Sequence, residues 1–191
     1  MNITKDNILN LYYKKEIQLT KEIINDILDQ IINKNKKVLV FGLGYDSLMW
    51  YKANGEKNIW FVESNDEFIK LNKNIDSKYI IKYEYRHVSV KRSFVMKDSL
   101  IKSLEIPKQL LENGPYDLIL IDGPWGGKSI APGRLLPVYW STRLLSKPET
   151  YIYLDDTNRE LETYLINKYL KDYKVIKKYN ERLGSICFAK N

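Results

Sequence analysis

The segment Lys37–Trp50, KVLVFGLGYDSLMW, joins a run of apolar residues to a glycine-containing turn and the start of a helix. The run Lys37–Phe41 is short, rich in β-branched residues and followed by Gly42, as is typical of a strand that is buried on both faces of a parallel sheet. Gly42 and Gly44 allow a tight turn and a close approach of the backbone to a ligand. A plain strand-to-helix turn can have the same residues, so the motif needs support from the rest of the chain.

Strand and helix patterns alternate after this segment. Further strands are predicted at 58–62, 79–85, 116–121, 150–154, 173–179 and 185–189. Capping boxes at Ser64 and Thr157 begin two of the intervening helices. The pattern predicts an α/β fold with a mostly parallel, seven-stranded Rossmann-like sheet, helices on both faces and an antiparallel C-terminal hairpin. Residues 1–35 are expected to form a helical segment that packs on the core formed by 36–191, giving a single domain.

An acidic residue, Glu63, ends the second predicted strand, 19 residues after Gly44. In nucleotide-binding Rossmann folds, an acid about 20 residues after the glycine turn binds the ribose hydroxyls. The third glycine of the dinucleotide fingerprint is missing, and Asp46 stands where it would cap the next helix and disfavour a pyrophosphate. An acid there suits a ligand that carries an amine. The combination indicates S-adenosylmethionine rather than NAD.

The segment Ile121–Arg134, IDGPWGGKSIAPGR, follows the fourth predicted strand. Because ligands of open α/β sheets bind at the carboxyl ends of the strands, Asp122 is expected to face the same crevice as the glycine turn. Its glycines and prolines predict a stiff loop in which Trp125 walls a pocket. Lys128 and Arg134 are expected to bind an anionic acceptor, unless the loop is a lid without a charge role.

Two further acids, Asp155 and Asp156, follow the fifth predicted strand. Repulsion between adjacent carboxylates favours a proton on one of them, which suits a general base or a substrate contact. Asp122, Asp156 and Asn158 could instead bind Mg²⁺ or another hard cation through oxygen, although no metal site is assigned. Capping of the next helix is the third interpretation.

The composition excludes several classes of protein. With 191 residues, 44% of them hydrophobic, the chain can bury a core. The single cysteine, Cys187, excludes a disulfide scaffold and is expected in the core, and the single histidine, His87, is interpreted as a strand-end residue rather than a base. No apolar run approaches the ~20 residues of a membrane span, and residues 1–16 lack the apolar centre of a signal peptide. We therefore expect a soluble, cytoplasmic protein that does not bind membranes.

The net charge of +7 arises from 31 basic and 24 acidic residues. Only six of the basic residues are arginine, the residue suited to bidentate recognition of phosphates and bases. Nucleic acid is therefore not the expected partner. A lysine-rich solvated surface or an anionic substrate explains the charge better.

Taken together, the motifs resemble those of the plant glucuronoxylan methyltransferase family, which is related to the irregular-xylem proteins of xylan synthesis. The resemblance runs from about residue 36 to the C-terminus and is carried by FGLGYDSLMW (41–50), FVE (61–63), YDLILIDGPWG (116–126), APGR (131–134) and LDD (154–156). It implies a class I methyltransferase fold, S-adenosylmethionine as donor and O-methylation of a sugar hydroxyl, the 4-hydroxyl of glucuronic acid in a polysaccharide.

The resemblance also implies roles for individual residues. The donor-binding positions are Gly42, Gly44, Tyr45, Asp46, Ser47 and Glu63. Asp122 falls on the aspartate after strand four, and Arg134 falls on the arginine of the APGR loop. Tyr45 and Asp155 stand where the family usually has histidine, which leaves carboxylates, Asp122, Asp155 or Asp156, to accept the proton.

These departures and the missing membrane anchor favour a soluble enzyme that acts on an acidic glycan or a smaller uronate-containing acceptor. Two alternatives remain open at the level of sequence. One is a methyltransferase that acts on an amine, a small molecule or nucleic acid. The other is a non-catalytic partner protein with the same fold.

Overall fold

The computed structural model of the chain describes residues 3–180 and 183–191. The strands of this part are β1 (Val38–Phe41), β2 (Ile59–Glu63), β3 (Ile80–Lys82), β4 (Tyr116–Ile121), β5 (Ser146–Asp155), β6 (Lys174–Tyr179) and β7 (Ser185–Ala189). The α-helices are α1 (Lys5–Tyr12), α2 (Lys21–Ile31), α3 (Ser47–Ala53), α4 (Asp66–Leu71), α5 (Val90–Ser93), α6 (Asp98–Lys102), α7 (Lys108–Asn113), α8 (Leu135–Trp140) and α9 (Glu160–Leu165). A short 3₁₀ turn precedes β3, and single π-helical turns extend α8 and α9.

The described strands form one sheet in the order β3-β2-β1-β4-β5-β7-β6. Strands β1 to β5 pair parallel with one another. β7 pairs antiparallel with both β5 and β6. The predicted Rossmann-like sheet with an antiparallel C-terminal hairpin is therefore confirmed. The order adds one detail that the pattern did not give: β7 lies inside the sheet and β6 is the edge strand.

Both faces of the sheet are covered, which explains why β1 is apolar at every position. Leu39 and Phe41 point into the hydrophobic cluster on one face, while Val38 and Val40 point into the cluster on the other. All four side chains are at most 3% exposed. Continuous apolar runs of this kind are the signature of parallel strands with helices on both sides.

The N-terminal segment packs against one of these clusters through α2. Its stripe of isoleucines and Leu28 is buried, as the helical spacing of those residues predicts. The side chain of Asp26 ties α2 to β6, because it accepts hydrogen bonds from Lys177 Nζ at 2.7 Å and Tyr179 Oη at 2.8 Å.

Some predicted boundaries are wrong. The third strand covers only Ile80–Lys82 instead of 79–85. The helix after β2 is capped by the side chain of Asn65, which accepts from Glu67 N, and not by Ser64. The helix after β5 begins at Glu160, so Thr157 lies before it and does not cap it. Among residues 3–180 and 183–191, no helix combines the length and apolar character that crossing a bilayer requires.

The turns after β1 and β4 touch through their backbones. The N–H of Gly123 donates to Phe41 O at 2.6 Å, and that of Asp122 donates to the same oxygen at 3.1 Å. Gly42 has φ +110°, a backbone conformation that residues with a Cβ rarely adopt. A Cβ on Gly123 would lie 2.8 Å from Gly42 Cα, so both turns need glycine to approach this closely.

Replacement of Gly123 by alanine is expected to lower the free energy of unfolding by about 1–3 kcal/mol, the usual cost of overpacking. The matched control is Gly126→Ala in the same loop, where the nearest atom to a new Cβ would be 3.4 Å away. Urea unfolding of the two variants measures the difference. Equal losses of stability would contradict the close contact between the turns.

Candidate functional site

The turns after β1 and β4 lie at the carboxyl edge of the sheet, where the chain order reverses. β1 has β2 on one side and β4 on the other, so the connections leave this edge in opposite directions. A crevice at such a switch point is the usual ligand site of an open α/β sheet. The residues predicted from the sequence at the ends of β1, β2, β4 and β5 are brought together at this edge.

Two side chains form hydrogen bonds with the backbone of the turn after β1. The N–H of Gly44 donates to Ser47 Oγ at 2.9 Å, and Asn72 Nδ2 donates to Gly44 O at 3.1 Å. Ser47 is fully buried, so its hydroxyl contacts the turn from the interior of the protein. Tyr45, in contrast, is 42% exposed at the surface of the turn.

Asp46 occupies the N-cap position of α3 but does not cap the helix with its side chain. Its Oδ2 instead accepts a hydrogen bond from Trp50 Nε1 at 2.8 Å. Burial raises the pKa of the Asp46 carboxyl above its ordinary value, against the effect of the indole hydrogen bond, and the nearby Asp155 carboxylate adds to the rise. The carboxyl is thus oriented by the indole and faces the acids at the end of β5.

Glu63 points back over the turn after β1. Its Oε2 accepts from Leu43 N at 2.8 Å, and its Oε1 accepts from Ser64 N and Asn65 N, both at 2.7 Å. These backbone donors fix the carboxylate between the ends of β1 and β2. Oε1 already accepts two hydrogen bonds, whereas Oε2 retains a second lone pair. Tyr85, after β3, lies close enough for the Glu63 charge to contribute, after burial, to the raised pKa of its hydroxyl.

A buried guanidinium, that of Arg134, lies among the acids of the site. Its side chain is 2% exposed, and its Nη1 is 2.6 Å from Asp156 Oδ2. The other carboxylates near its two terminal nitrogens are Asp122 at 3.4 Å, Asp155 at 3.6 Å and Glu162 at 3.7 Å. Sequence analysis assigned Arg134 to an anionic acceptor. The structure instead surrounds it with the protein's own carboxylates.

Asp122 and Asp155 face each other across the ends of β4 and β5. Burial raises the pKa of Asp122 well above its ordinary value, and the neighbouring Asp155 raises it further, while Arg134 opposes the rise. Asp155 Oδ1 accepts a hydrogen bond from Ser185 Oγ at 2.6 Å, from the antiparallel strand β7. A carboxyl group whose pKa is raised beside a second carboxyl group is suited to proton transfer.

The outer part of the loop after β4 is exposed. Trp125 is 57% exposed, the Lys128 ammonium lies 5.9 Å from the centroid of its ring, and a Cβ on Gly127 would be only 2.7 Å from the indole. The loop is anchored to the start of α5, since Val90 N donates to Ala131 O at 2.8 Å. The aromatic face and the ammonium therefore lie side by side on an exposed loop that is hydrogen-bonded to α5.

The suggested oxygen ligands do not assemble into a metal centre in the described part of the chain, which contains no group of three or more His, Cys, Asp or Glu placed to hold an ion. Between Asp122 and Asp156 lies the Arg134 guanidinium. Asn158 is exposed, and its N–H donates to Leu183 O. His87 is also exposed, with φ +67°, and Cys187 is buried in the core.

Sequence reasoning missed two residues of this cluster. Ser185 reaches Asp155 only because β7 inserts beside β5, a pairing between residues 30 positions apart. Glu162 looks like one acid of an amphipathic helix, yet its side chain is 1% exposed and both carboxylate oxygens lack a hydrogen-bond donor among the described residues. Neither residue belongs to a local sequence motif, so only the tertiary arrangement identifies Ser185 and Glu162 as parts of the cluster.

The raised pKa of Asp122 has a consequence for stability. Because the folded state holds this proton more tightly than the unfolded chain, the stabilisation is present at low pH and is lost as pH rises through the folded-state pKa. Asp122→Asn should therefore raise the melting temperature at pH 8 and flatten its fall as the pH rises above the ordinary carboxyl pKa.

Asp117 provides a control of opposite sign. Its pairing with Lys147 at 2.6 Å and the hydrogen bond from Lys37 N lower its pKa despite partial burial. Asp117→Asn should consequently lower the melting temperature at pH 8, by about 2–4 °C for each kcal/mol lost. Thermal unfolding of both variants by circular dichroism is the measurement, and changes of the same sign would contradict the environment of Asp122 described above.

The sequence is similar to curated plant O-methyltransferases. It is 29% identical over 163 residues to glucuronoxylan 4-O-methyltransferase 1 of Arabidopsis thaliana, which covers 70% of this chain and 56% of that protein. Arabinogalactan O-methyltransferase 1 of the same plant is 29% identical over 167 residues, 72% of this chain and 56% of that protein. The chain thus spans about half the length of the curated relatives it matches. No protein-family model matches it.

Solved methyltransferase structures share the fold at low sequence identity. An O-methyltransferase of Bacillus cereus, in complex with S-adenosylhomocysteine, has a TM-score of 0.51 and 13% identity, covering 97% of this chain and 90% of that one. The MycE methyltransferase of mycinamycin biosynthesis has a TM-score of 0.53 and 13% identity, covering all of this chain and 49% of that one. The chain therefore has the class I methyltransferase fold, and the predicted resemblance to the glucuronoxylan methyltransferases is confirmed.

Proposed function

We propose that the protein is an S-adenosylmethionine-dependent O-methyltransferase that acts on a sugar hydroxyl of an acidic glycan, such as the 4-hydroxyl of a glucuronic acid unit. The observation that carries the proposal is the meeting of Glu63, the glycine turn and the Asp122–Asp155 pair at one crevice of a methyltransferase fold. The names of the relatives, glucuronoxylan and arabinogalactan O-methyltransferases, support a polysaccharide acceptor.

The residues of the first two strand ends fit the donor. The Glu63 carboxylate lies beside the glycine turn, and its Oε2 keeps a lone pair for a ribose hydroxyl of the donor. Asp46 would attract the donor's ammonium group. When bound, S-adenosylmethionine supplies a methyl group on a positively charged sulfur, which is ready for displacement by an oxygen nucleophile.

The acid pair at the ends of β4 and β5 would manage the proton. During the transfer, the Asp122–Asp155 pair would accept the proton of the attacking hydroxyl. The protein's main contribution is to align the oxygen with the methyl carbon, since in-line displacement depends strongly on geometry.

Trp125 and Lys128 would hold the acceptor. The exposed indole offers a flat apolar face to a sugar ring, and the ammonium beside it offers a charge to a uronate carboxylate. Arg134 is not needed for this contact, because it is buried beneath the loop. Lys128 is therefore the cation that we propose binds the carboxylate of the acceptor.

The decisive experiment is incubation of the protein with methyl-labelled donor and a panel of glycans. The panel contains glucuronic-acid-substituted xylan, arabinogalactan, free glucuronate and the same polymers with their carboxyl groups reduced. We expect label on the uronate-bearing polymers. Failure to bind S-adenosylmethionine or S-adenosylhomocysteine in titration calorimetry would refute the enzyme, and label on an amine or nucleic acid instead would refute the acceptor class.

Loss of the Glu63 charge should weaken donor binding. Glu63→Gln is expected to raise the dissociation constant of S-adenosylhomocysteine about tenfold or more, because a charged acceptor contributes about 1.5–3 kcal/mol per hydrogen bond. Glu67→Gln is the control, since Glu67 is exposed on α4. Calorimetry gives both constants, and an unchanged value for Glu63→Gln would contradict the ribose contact.

Loss of the Lys128 charge should affect only acidic acceptors. Lys128→Met is expected to raise KM for glucuronoxylan about tenfold, with kcat within about twofold, as the removal of uniform binding does. KM for the carboxyl-reduced polymer should not change. Lys108→Met, an exposed lysine on α7, is the control. A similar rise in KM for both polymers would show that the ammonium does not contact the uronate.

A further inference from the structure

The guanidinium of Arg134 joins the ends of two strands through their backbones. Its Nη2 donates to Asp122 O at 2.7 Å, and its Nη1 donates to Asp155 O at 3.0 Å. Asp122 follows β4 directly, and Asp155 is the last residue of β5. One side chain therefore connects the two residues whose carboxyl groups form the acid pair, just beyond the last paired residues of β4 and β5.

One of these nitrogens, Nη2, also faces the carboxyl groups of both residues. Nη2 lies 3.4 Å from Asp122 Oδ1 and 3.6 Å from Asp155 Oδ2, so it stands between the two carboxyl groups. A planar guanidinium can reach a carbonyl and a carboxylate from each terminal nitrogen at once, whereas an ammonium is a single point charge. The contact pattern thus requires arginine and not only a positive charge.

The rest of the guanidinium surroundings are also acidic. Nη1 is 2.6 Å from Asp156 Oδ2 and 3.7 Å from Glu162 Oε1. Asp156 is shared with Arg159 at 2.8 Å, but Glu162 is buried. A buried guanidinium would be costly without paired carboxylates, so these acids compensate for its burial.

We propose that Arg134 is a positioning residue of the transfer reaction: by bridging the ends of β4 and β5 it holds the Asp122 and Asp155 carboxyl groups at the separation at which they share and accept a proton. Glu162 is its buried counter-ion. This inference rests on the proposed function for its catalytic consequence, while the bridge itself can be tested without turnover. It replaces the expected contact between Arg134 and the acceptor.

The test compares Arg134→Lys with Arg159→Lys. Both variants keep the positive charge, but Arg134→Lys removes the double bridge, whereas Arg159 contacts the cluster through Asp156. Circular dichroism and the dissociation constant of S-adenosylhomocysteine check that each variant is folded. Methyl transfer to glucuronoxylan then gives kcat, KM and the dependence of kcat on pH.

We expect Arg134→Lys to lower kcat about a hundredfold, the loss that a misplacement of about 1 Å causes, with KM and donor binding nearly unchanged. Because a guanidinium beside Asp122 favours its charged form, its removal should move the acid limb of the pH profile upwards. Arg159→Lys should stay within about threefold of the unchanged protein. A rise in KM for the acidic polymer at constant kcat would overturn the proposal, as would equal losses in both variants.

A second variant keeps the inference falsifiable if Arg134→Lys does not fold. Glu162→Gln removes a negative charge but leaves the bridge, so it should lower kcat only slightly and move the acid limb downwards. A shift in the other direction would contradict the arrangement. Carboxyl-carbon NMR titration of Asp122 reports the same opposite shifts without any substrate. If the unchanged protein transfers no methyl group, the proposed function fails, and this titration still decides whether Arg134 acts on the pair.

Discussion

The site depends on a buried cation that the protein supplies for its own acids. Four carboxylates lie within 3.7 Å of the Arg134 guanidinium, which offsets their mutual repulsion at the ends of β4 and β5. Removing a charge from water costs several kcal/mol, so this arrangement persists only because each group compensates for the others. The acids therefore stay close together while the Arg134 guanidinium neutralises part of their negative charge.

The sheet makes this arrangement possible by ending its parallel strands at one edge. β1 lies at the centre, where its apolar side chains fill the clusters on both faces and its turn meets that of β4 at Gly42 and Gly123. The proposed donor side of the site is thus defined by backbone contact, and the proposed acceptor side by charge. The loop that carries Trp125 and Lys128 is exposed.

The sequence predicted those features that leave a local pattern. The apolar run before Gly42 indicated a central parallel strand, and the spacing of Glu63 indicated its place beside the first turn. Arg134 was recognised as functional, but its burial was not predictable, because its partners on β4, β5 and α9 are distant in the chain. The position of β7 inside the sheet, and with it the partner of Asp155, also depends on long-range pairing that no short motif encodes.

The insertion of β7 between β5 and β6 also orders the assembly of the protein. β6 precedes β7 in the chain but joins the sheet through β7. Pairing of the edge strand therefore requires a later segment of the chain. The hydroxyl that contacts Asp155 arrives with that same segment. The parallel part of the sheet and the turn around Gly42 thus involve no pairing with β7, whereas the surroundings of Asp155 are complete only once this late segment has joined the sheet.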